Sequence, residues 1–347
     1  MTPVSLAAEV QAPLDAAGPD GSAANLIPGR VWAFRIHADG VAEELAVDQP
    51  IEDRHDGWLW LHLNLADARA CHWLTTAAEL PPPALALLRS PDHHQSLHVT
   101  GSCVYGVFAD MVRQFDRSGD ELGHLHFAMT ERLMISGRRH PLHAVEATRQ
   151  TLRNGRPLGS VAALLEAIVE HIADAIDATV DSLAEELDRI EDQILTGRAG
   201  DERQRLGQVR RTTVRLHRQL SGLRVVFHRL ERSGTENLSP ALRIATAGLV
   251  QRLDGLDHEV IGMRDRAHLL QEEIAARLAE QTNRHLHALA ILTALLLPPS
   301  LVAGIFGMNT KGLPGTESES GFLWAMAVVA GSSALVYWIM KKTRIIE

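Results

Sequence analysis

Two long apolar runs near the end of the chain constrain its fold more than any other feature. The segment 286–310 holds 25 residues without a formal charge, and the segment 321–340 holds another 20. Each could cross about 30 Å of hydrocarbon as a helix that rises about 1.5 Å per residue. Two buried core helices of a water-soluble domain are the alternative, but their length and close spacing disfavour it. We therefore predict transmembrane helices at 286–310 and 321–340.

The charges around these runs predict the topology of the chain. Three basic residues follow the second run directly: Lys341, Lys342 and Arg344. The segment between the runs carries three charges of mixed sign: Lys311, Glu317 and Glu319. Basic flanks stay in the cytoplasm, and two crossings return the chain to the same side. We predict an inner-membrane protein with both termini cytoplasmic, an extracytoplasmic loop at 311–320 and a basic tail at 341–347.

The composition excludes several other classes of protein. A formal net charge of -9 and an isoelectric point near 6.0 argue against a nucleic-acid partner, because nucleic-acid-binding surfaces are usually basic. The two cysteines, Cys71 and Cys103, form no CxxC pair, which disfavours a disulfide framework or a cysteine-rich zinc site. The sequence contains no nucleotide-binding loop, nucleophile motif or metalloprotease signature, so we predict that the protein is not an enzyme.

The first half of the chain has the pattern of an α/β domain. The segment 1–28 is rich in Ala, Pro, Gly and Asp and is predicted to be a disordered tail. Short β-like and helical stretches alternate over 29–157, which predicts a cytoplasmic α/β domain. In "GWLWLHLNL" the alternation puts Trp58, Trp60 and His62 on one face of a strand and leucines on the other. We expect both faces to be packed.

Long helices are predicted from 158 to 285, where they would form a stalk or funnel. Apolar residues recur every three or four positions from Val161 to Ile194, after a candidate N-cap at Ser160. This helix is strongly acidic, whereas the next, about 201–232, carries nine arginines. These charged faces are either exposed to solvent or paired between subunits, and the sequence leaves both alternatives open. A third helix is predicted from Pro240 to Met308, on the order of 100 Å long.

The end of the first apolar run carries a family motif. The stretch "TALLLPPSLVAGIFGMNTKGLPG" resembles the first transmembrane helix and signature of the CorA superfamily of metal ion transporters, with Gly307, Met308 and Asn309 as its GMN motif. Two further stretches, "GRRHPLHAVEATRQTLRNG" and "NTKGLPG", resemble the ZntB-like zinc branch. Magnesium members usually carry an acidic residue directly after the loop proline, where Gly315 stands here.

The resemblance implies an assembly as well as a motif. It implies a homopentameric funnel in which five copies of the first transmembrane helix line an axial pore and the second helix forms an outer ring. Gly307, Met308 and Asn309 would then form the outer entrance, where hydrated cations are captured. Glu317 and Glu319 would attract cations there, whereas Lys311 would oppose them.

One face of the first apolar run suits a pore. The positions on this face follow steps of four and three: Asn283, Leu286, Ala290, Thr293, Leu297, Ser300 and Gly304. Leu286 and Leu297 are candidate constrictions, because hydrophobic rings can gate a pore. A helix–helix contact seam is the alternative, since Thr and Ser also join membrane helices. Pro298 and Pro299 predict a kink or a locally loosened helix.

Histidines supply candidate zinc ligands, because zinc favours nitrogen and sulfur. We predict metal ligands at His285, His287, His124 and His126, of which the first two would lie near the inner pore mouth. Other clusters along the chain are Cys71 with His72, His93 with His94 and His98, and His140 with His143. Protonation of His285 and His287 near neutral pH would be compatible with proton-coupled transport.

These features predict an inner-membrane transporter of divalent metal ions, with zinc preferred. Zinc would be the transported ion and a cytoplasmic ligand rather than a resident cofactor. The predicted partners are copies of the same chain, membrane lipid and divalent ions. A magnesium or cobalt channel of the same superfamily is the first alternative, and a non-conducting, membrane-anchored structural or regulatory stalk is the second.

Overall fold

The computed structural model describes residues 27–47, 49, 51, 57–77, 80–112, 122–196, 201–232, 239–308 and 321–343. The chain divides into two compact units, Met1–His268 and Leu269–Glu347. The elements of the described residues are, in chain order, β1 (Arg30–Ile36), β2 (Ala42–Leu45), β3 (Trp58–Asn64), α1 (Ala68–Ala77), α2 (Pro82–Arg89), β4 (Ser96–Thr100), β5 (Cys103–Met111), β6 (Leu122–Met129), β7 (Leu133–Arg138), α3 (His143–Arg153), α4 (Val161–Thr196), α5 (Glu202–Arg232), α6 (Pro240–Phe306) and α7 (Gly321–Lys342).

The first unit contains one mixed sheet, which with α1, α2 and α3 we call the sheet domain. The described strands follow the order β2-β1-β3-β7-β6-β5-β4. β3 and β7 are parallel, and the other neighbouring pairs are antiparallel. A sheet with helices on both faces buries both faces of its central strands, and six of the seven residues of β3 are indeed buried.

The alternation in β3 divides the core into two layers. Trp58 and Trp60 belong to the cluster that includes the apolar faces of α3, α4 and α5. Leu61 and Leu63, on the other face of the strand, pack with residues of α1 and α2. The prediction that both faces of "GWLWLHLNL" are packed is therefore confirmed.

His62 is part of the first layer and is fully buried. Its ring stacks on Trp32 with 4.2 Å between ring centroids, and its Nδ1 lies 2.8 Å from the Ser136 hydroxyl oxygen. The indole Nε1 of Trp60 donates to the same hydroxyl oxygen at 2.8 Å. Burial, together with Arg138 and Arg149, holds the pKa of His62 well below its usual value. His62 is thus a neutral core histidine.

The predicted helix α4 forms over Val161–Thr196, and its apolar stripe is buried. The Ala163 amide donates to the Ser160 hydroxyl oxygen at 3.2 Å, as expected for a capping residue. The start of α6 has the same feature, because the Leu242 amide donates to the Ser239 hydroxyl oxygen at 3.3 Å.

The charged faces of the long helices pair partly within one chain. Arg205 of α5 donates to Glu186 of α4 at 2.5 Å, and Arg266 of α6 contacts Asp188 of α4 at 2.7 Å. Arg224 of α5 also bonds Asp257, a buried carboxylate of α6. Several of these charges are therefore paired within one chain. From the sequence alone, exposure to solvent and pairing with a second subunit were both open.

The second unit contains the end of α6 and α7. The helix α6 continues through Pro298 and Pro299, and the kink predicted there stays a prediction. It ends at Phe306 rather than at the predicted Met308, because the Met308 amide donates to the Ile305 carbonyl at 3.2 Å in a tighter turn. The helix α7 extends to Lys342, two residues past its predicted end. The domain limits predicted at 157/158 and 285/286 stay predictions.

Candidate metal-ion pathway

Two helices of the described residues are long and apolar enough to span a membrane. Their most apolar windows, in α6 and α7, have mean hydropathies of 2.1 and 1.8, and neither window is buried within the chain. Core helices of a water-soluble protein would be largely buried. The alternative of two buried core helices is therefore disfavoured by the structure.

The predicted pore face of α6 is exposed along its whole length. This holds for all seven positions: Asn283, Leu286, Ala290, Thr293, Leu297, Ser300 and Gly304. A half-buried stripe lies roughly on the opposite side of the helix, since each residue turns the helix by about 100°. It comprises Ile291, Ala294, Leu295, Pro298, Pro299 and Val302. Over 291–304 a single chain thus shields one side of this helix and leaves the predicted pore face uncovered, whereas every side of the helix is exposed over 281–290.

The two hydroxyl groups of this face are bonded to their own helix. Thr293 Oγ1 donates to the Leu289 carbonyl and Ser300 Oγ donates to the Leu296 carbonyl, each at 2.8 Å. Such bonds to the carbonyl four residues earlier are usual for hydroxyl side chains in membrane helices. The hydroxyl oxygens keep their capacity as acceptors and can contact the water shell of a cation.

The motif residues begin where α6 ends. The Gly307 amide donates to the Ala303 carbonyl at 2.9 Å, and the side chain of Met308 is exposed. A Cβ atom on Gly307 would lie 3.2 Å from the Ala303 carbonyl oxygen, so a larger residue would crowd the last turn. Asn309 and the loop residues Lys311, Gly315, Glu317 and Glu319 lie outside the described residues. Their predicted roles stay predictions.

The end of α7 carries an interaction that the sequence analysis did not single out. The Lys342 ammonium lies 5.0 Å from the centroid of the Trp338 ring, a cation–π distance. Tryptophan and lysine at the end of an apolar helix are typical of a membrane–water interface. Trp324, near the other end of α7, is also exposed and supports the same placement.

The predicted histidine ligands fall into two groups. His285 and His287 are exposed on α6, two residues apart, and so lie on different sides of the helix. His124 and His126 lie on one face of β6, and the ring of His93 packs on His124 with 4.4 Å between centroids. Both pairs are predicted from the sequence, but nothing in the sequence places His93 beside His124. Among the described residues, no three His, Cys, Asp or Glu side chains already surround a common point.

The environment of the β6 histidines differs from that of the exposed pair on α6. Burial, with smaller contributions from the neighbouring His93 and His126, lowers the pKa of His124 to about 4. His126 is buried, and its Nδ1 lies 3.0 Å from the Leu87 carbonyl oxygen. Burial, partly offset by that hydrogen bond, lowers the pKa of His126 as well. Both imidazoles are therefore neutral near pH 7.

Comparisons with known proteins agree with this architecture. The family model described as "CorA-like Mg2+ transporter protein" matches residues 55–342. A "Divalent cation transporter CmaX" of Pseudomonas aeruginosa is 27% identical over 288 residues, which cover 82% of this chain and 87% of that protein. A "Zinc transport protein ZntB" of Photorhabdus laumondii is 25% identical over 289 residues and covers the same shares, 82% and 87%.

A solved structure shows the same fold. The structure of full-length CmaX superposes with a TM-score of 0.77 at 24% identity, covering 91% of this chain and 98% of that chain. A sheet domain followed by long helices and two candidate membrane spans is thus the architecture that this chain shares with CmaX. Because the matched region exceeds half of the chain, the protein belongs to the CorA family of metal-ion transporters. The likeness to ZntB inferred from the sequence is confirmed by relatives of that name.

Proposed function

We propose that five copies of this chain form an axial pore that carries divalent metal ions, zinc preferred, across the inner membrane. Membership of a transporter family supports the transport of metal ions. Relatives named as divalent cation and zinc transporters support the class of ion. The two candidate spans, one in α6 and one in α7, would supply the helices that such a pore needs.

The uncovered face of α6 is the observation that carries the proposal. It is exposed opposite a half-buried stripe, and it alternates leucine with small or hydroxyl residues such as Ala290, Thr293 and Ser300. An adjacent exposed face holds Leu289, Leu292 and Leu296 and is purely apolar, as lipid contact requires. In a ring of five chains, the face with the hydroxyl residues would line the axis. The adjacent apolar face would lie against α7 or lipid.

The outer entrance would form where the five helix ends converge. The last carbonyls of a helix have no partner within it and give its end about half a negative charge. Five ends, with the amide oxygens of Asn309, would offer many weak acceptors to a hydrated cation. Weak contacts suit conduction, since the ion must leave as readily as it enters. Gly307 and Met308 belong to this rim.

The orientation and the choice of ion rest on sequence features. Lys341 and Lys342 at the end of α7 favour a cytoplasmic C-terminus, and two crossings place the sheet domain on the same side. Neither span contains a carboxylate, so the ion would cross without tight binding. His285 and His287 near the inner end of the span would allow proton coupling.

Two other functions would use the same fold. A magnesium or cobalt channel agrees with the wording of the family description. A non-conducting stalk would keep the long helices and spans but would need no hydroxyl groups on the uncovered face of α6. Flux measurements separate the three functions.

The test is metal flux into liposomes that contain the purified full-length chain. We expect Zn2+ to enter, and Asn309→Ala to lose most of that flux while light scattering still reports a pentamer. Ser332→Ala, in the second span, is the matched polar-to-alanine control and should retain native flux. Entry of Mg2+ alone would refute the zinc preference, and an intact pentamer that passes no metal would leave only the stalk.

A further inference from the structure

Three histidines lie on one side of the sheet domain, outside the proposed pore. His93 lies in the connection between α2 and β4, while His124 and His126 lie two residues apart on β6. Alternate residues of a strand point to the same face, so both β6 rings face the side that carries α2. The ring centroids of His93 and His124 are 4.4 Å apart, so the connection that carries His93 lies over the same face.

His126 has a defined tautomer and an unused nitrogen. Its Nδ1 lies 3.0 Å from the Leu87 carbonyl oxygen. A carbonyl only accepts hydrogen bonds, so Nδ1 must carry the hydrogen and Nε2 must carry a lone pair. That Nε2 atom is buried and has no hydrogen-bond partner among the residues that the structure describes. A buried acceptor without a partner is costly and needs an explanation.

The spacing of the rings suits a shared metal ion. Zinc binds imidazole nitrogen at about 2.0–2.1 Å with tetrahedral angles, which places the centroids of two ligand rings roughly 5 Å apart. The His93–His124 distance of 4.4 Å is close to that value. His93 is exposed, and a rotation of its side chain can complete the arrangement.

The charges around the cluster are mixed. Asp92 accepts from the His94 amide at 3.0 Å and contacts His94 Nδ1 at 2.6 Å, which fixes a carboxylate beside His93. Arg139 is the nearby cation, and its guanidinium donates to the carbonyls of Arg89 and Ser90 at 3.3 and 3.2 Å. The carboxylate offsets this cation and is a candidate for the fourth ligand position.

We propose that His93, His124 and His126 bind a divalent ion of the zinc and cobalt class on the sheet domain. Three imidazole nitrogens suit such ions and not Mg2+, which prefers oxygen ligands. Asp92 or water completes the tetrahedron. The site lies outside the proposed pathway and goes beyond the proposed function, because it holds an ion instead of passing it.

An ion at this site would fix a connection that is already joined to α5. Gln95, two residues after His93, donates from Nε2 to the Gln219 carbonyl at 2.9 Å, and its Oε1 accepts from the Ala109 amide at 3.4 Å. A Cβ atom on Gly222 would lie 2.2 Å from Gln95 Nε2, so the glycine makes room for this side chain. The metal ion and α5 would thus hold the same short segment.

The test is a titration of the full-length chain in detergent with Co2+, whose visible absorption reports tetrahedral nitrogen coordination. We expect one equivalent with ligand-field bands that Zn2+ displaces and Mg2+ does not. His93→Ala, an exposed position, should weaken this binding about tenfold or more. His72→Ala, at an exposed histidine of α1, is the matched control and should bind as the native chain does.

Two further variants make the result decisive. Asn309→Ala should retain the Co2+ bands, because it alters only the proposed pore entrance. His126→Asn should lose them while the unfolding temperature in chelator stays near native. Native Co2+ affinity and spectrum in His93→Ala would overturn the proposal, as would the absence of tetrahedral bands in the native chain. Neither result would affect the proposed transport function.

Discussion

The two units of this chain differ in how far their aromatic side chains are buried. In the first unit Trp60 is 0% exposed and Phe127 is 0% exposed, each packed by residues of the same chain. In the second unit Trp324 is 66% exposed and Phe322 is 75% exposed. These two side chains of the first unit are therefore covered within one chain, whereas those of the second unit would need lipid or further protein surface to cover them.

The strongest test of this comparison is the same substitution in both units. Trp60→Ala should lower the free energy of unfolding by about 4 kcal/mol, because it opens a cavity and removes the donor to Ser136. Trp324→Ala should leave the unfolding of the sheet domain unchanged. Thermal unfolding followed by circular dichroism in detergent measures both variants. Equal destabilisation by the two would contradict the contrast between the units.

A second test uses a buried carboxylate of the first unit, since the spans contain none. Asp110 accepts from the Ala144 amide at 2.9 Å, and burial raises its pKa to about 7. The folded state therefore binds this proton more tightly than the unfolded state, so stability falls as the pH rises toward 7.

The expected loss through Asp110 is about 2 kcal/mol between pH 5 and pH 7. Asp110→Asn keeps an acceptor oxygen for Ala144 but cannot titrate. The difference in unfolding temperature between the native chain and this variant should therefore change over that range in the variant's favour. A difference that stays constant with pH would show that Asp110 does not titrate there.

A third test compares two adjacent leucines of the second unit. Leu297 is 65% exposed on the proposed pore face, and Leu296 is 59% exposed on the adjacent apolar face. Leu297→Ala should raise Zn2+ flux into liposomes several-fold, because a smaller ring lowers a hydrophobic barrier. Leu296→Ala should leave the flux unchanged. If the two variants conduct alike, the pore face has been assigned to the wrong side of α6.

The smallest expected effect belongs to an ion pair at the surface of the first unit. Arg266 contacts Glu191 at 2.5 Å and Asp188 at 2.7 Å, with all three side chains more than a third exposed. Arg266→Met should cost about 0.5 kcal/mol at low salt and nothing measurable at high salt. Unfolding at two ionic strengths measures it. A loss independent of salt would mean that packing of the arginine stem, and not its charge, matters.

The helical part of the fold could be predicted because its signals are local. The length of the apolar runs indicated the two candidate spans, and the serines before α4 and α6 marked the first turns of these helices. The alternation in "GWLWLHLNL" likewise indicated a strand packed on both faces. The end of α6 was placed two residues too late, because the turn at Met308 depends on one amide and not on apolar spacing.

The candidate sites were harder to predict because they depend on contacts between distant residues. His93 reaches His124 only because the connection after α2 lies over β6, and nothing local to either residue encodes that contact. The pairing of Arg205 with Glu186 depends in the same way on how α4 and α5 lie side by side. The pore face is a further step away, since its neighbours in the proposed pentamer would be other copies of the chain.

The hydrogen bonds of Thr293 and Ser300 also bear on whether cations or anions would pass. With their hydrogens directed to the Leu289 and Leu296 carbonyls, both side chains present electron pairs outward and offer nothing that chloride or phosphate could accept. If these oxygens line the pore, the preference for cations over anions would come from the two hydrogen bonds to the backbone and not from a fixed formal charge. Rings of such hydroxyl oxygens would keep this preference over the whole physiological pH range, because an alcohol does not ionise there.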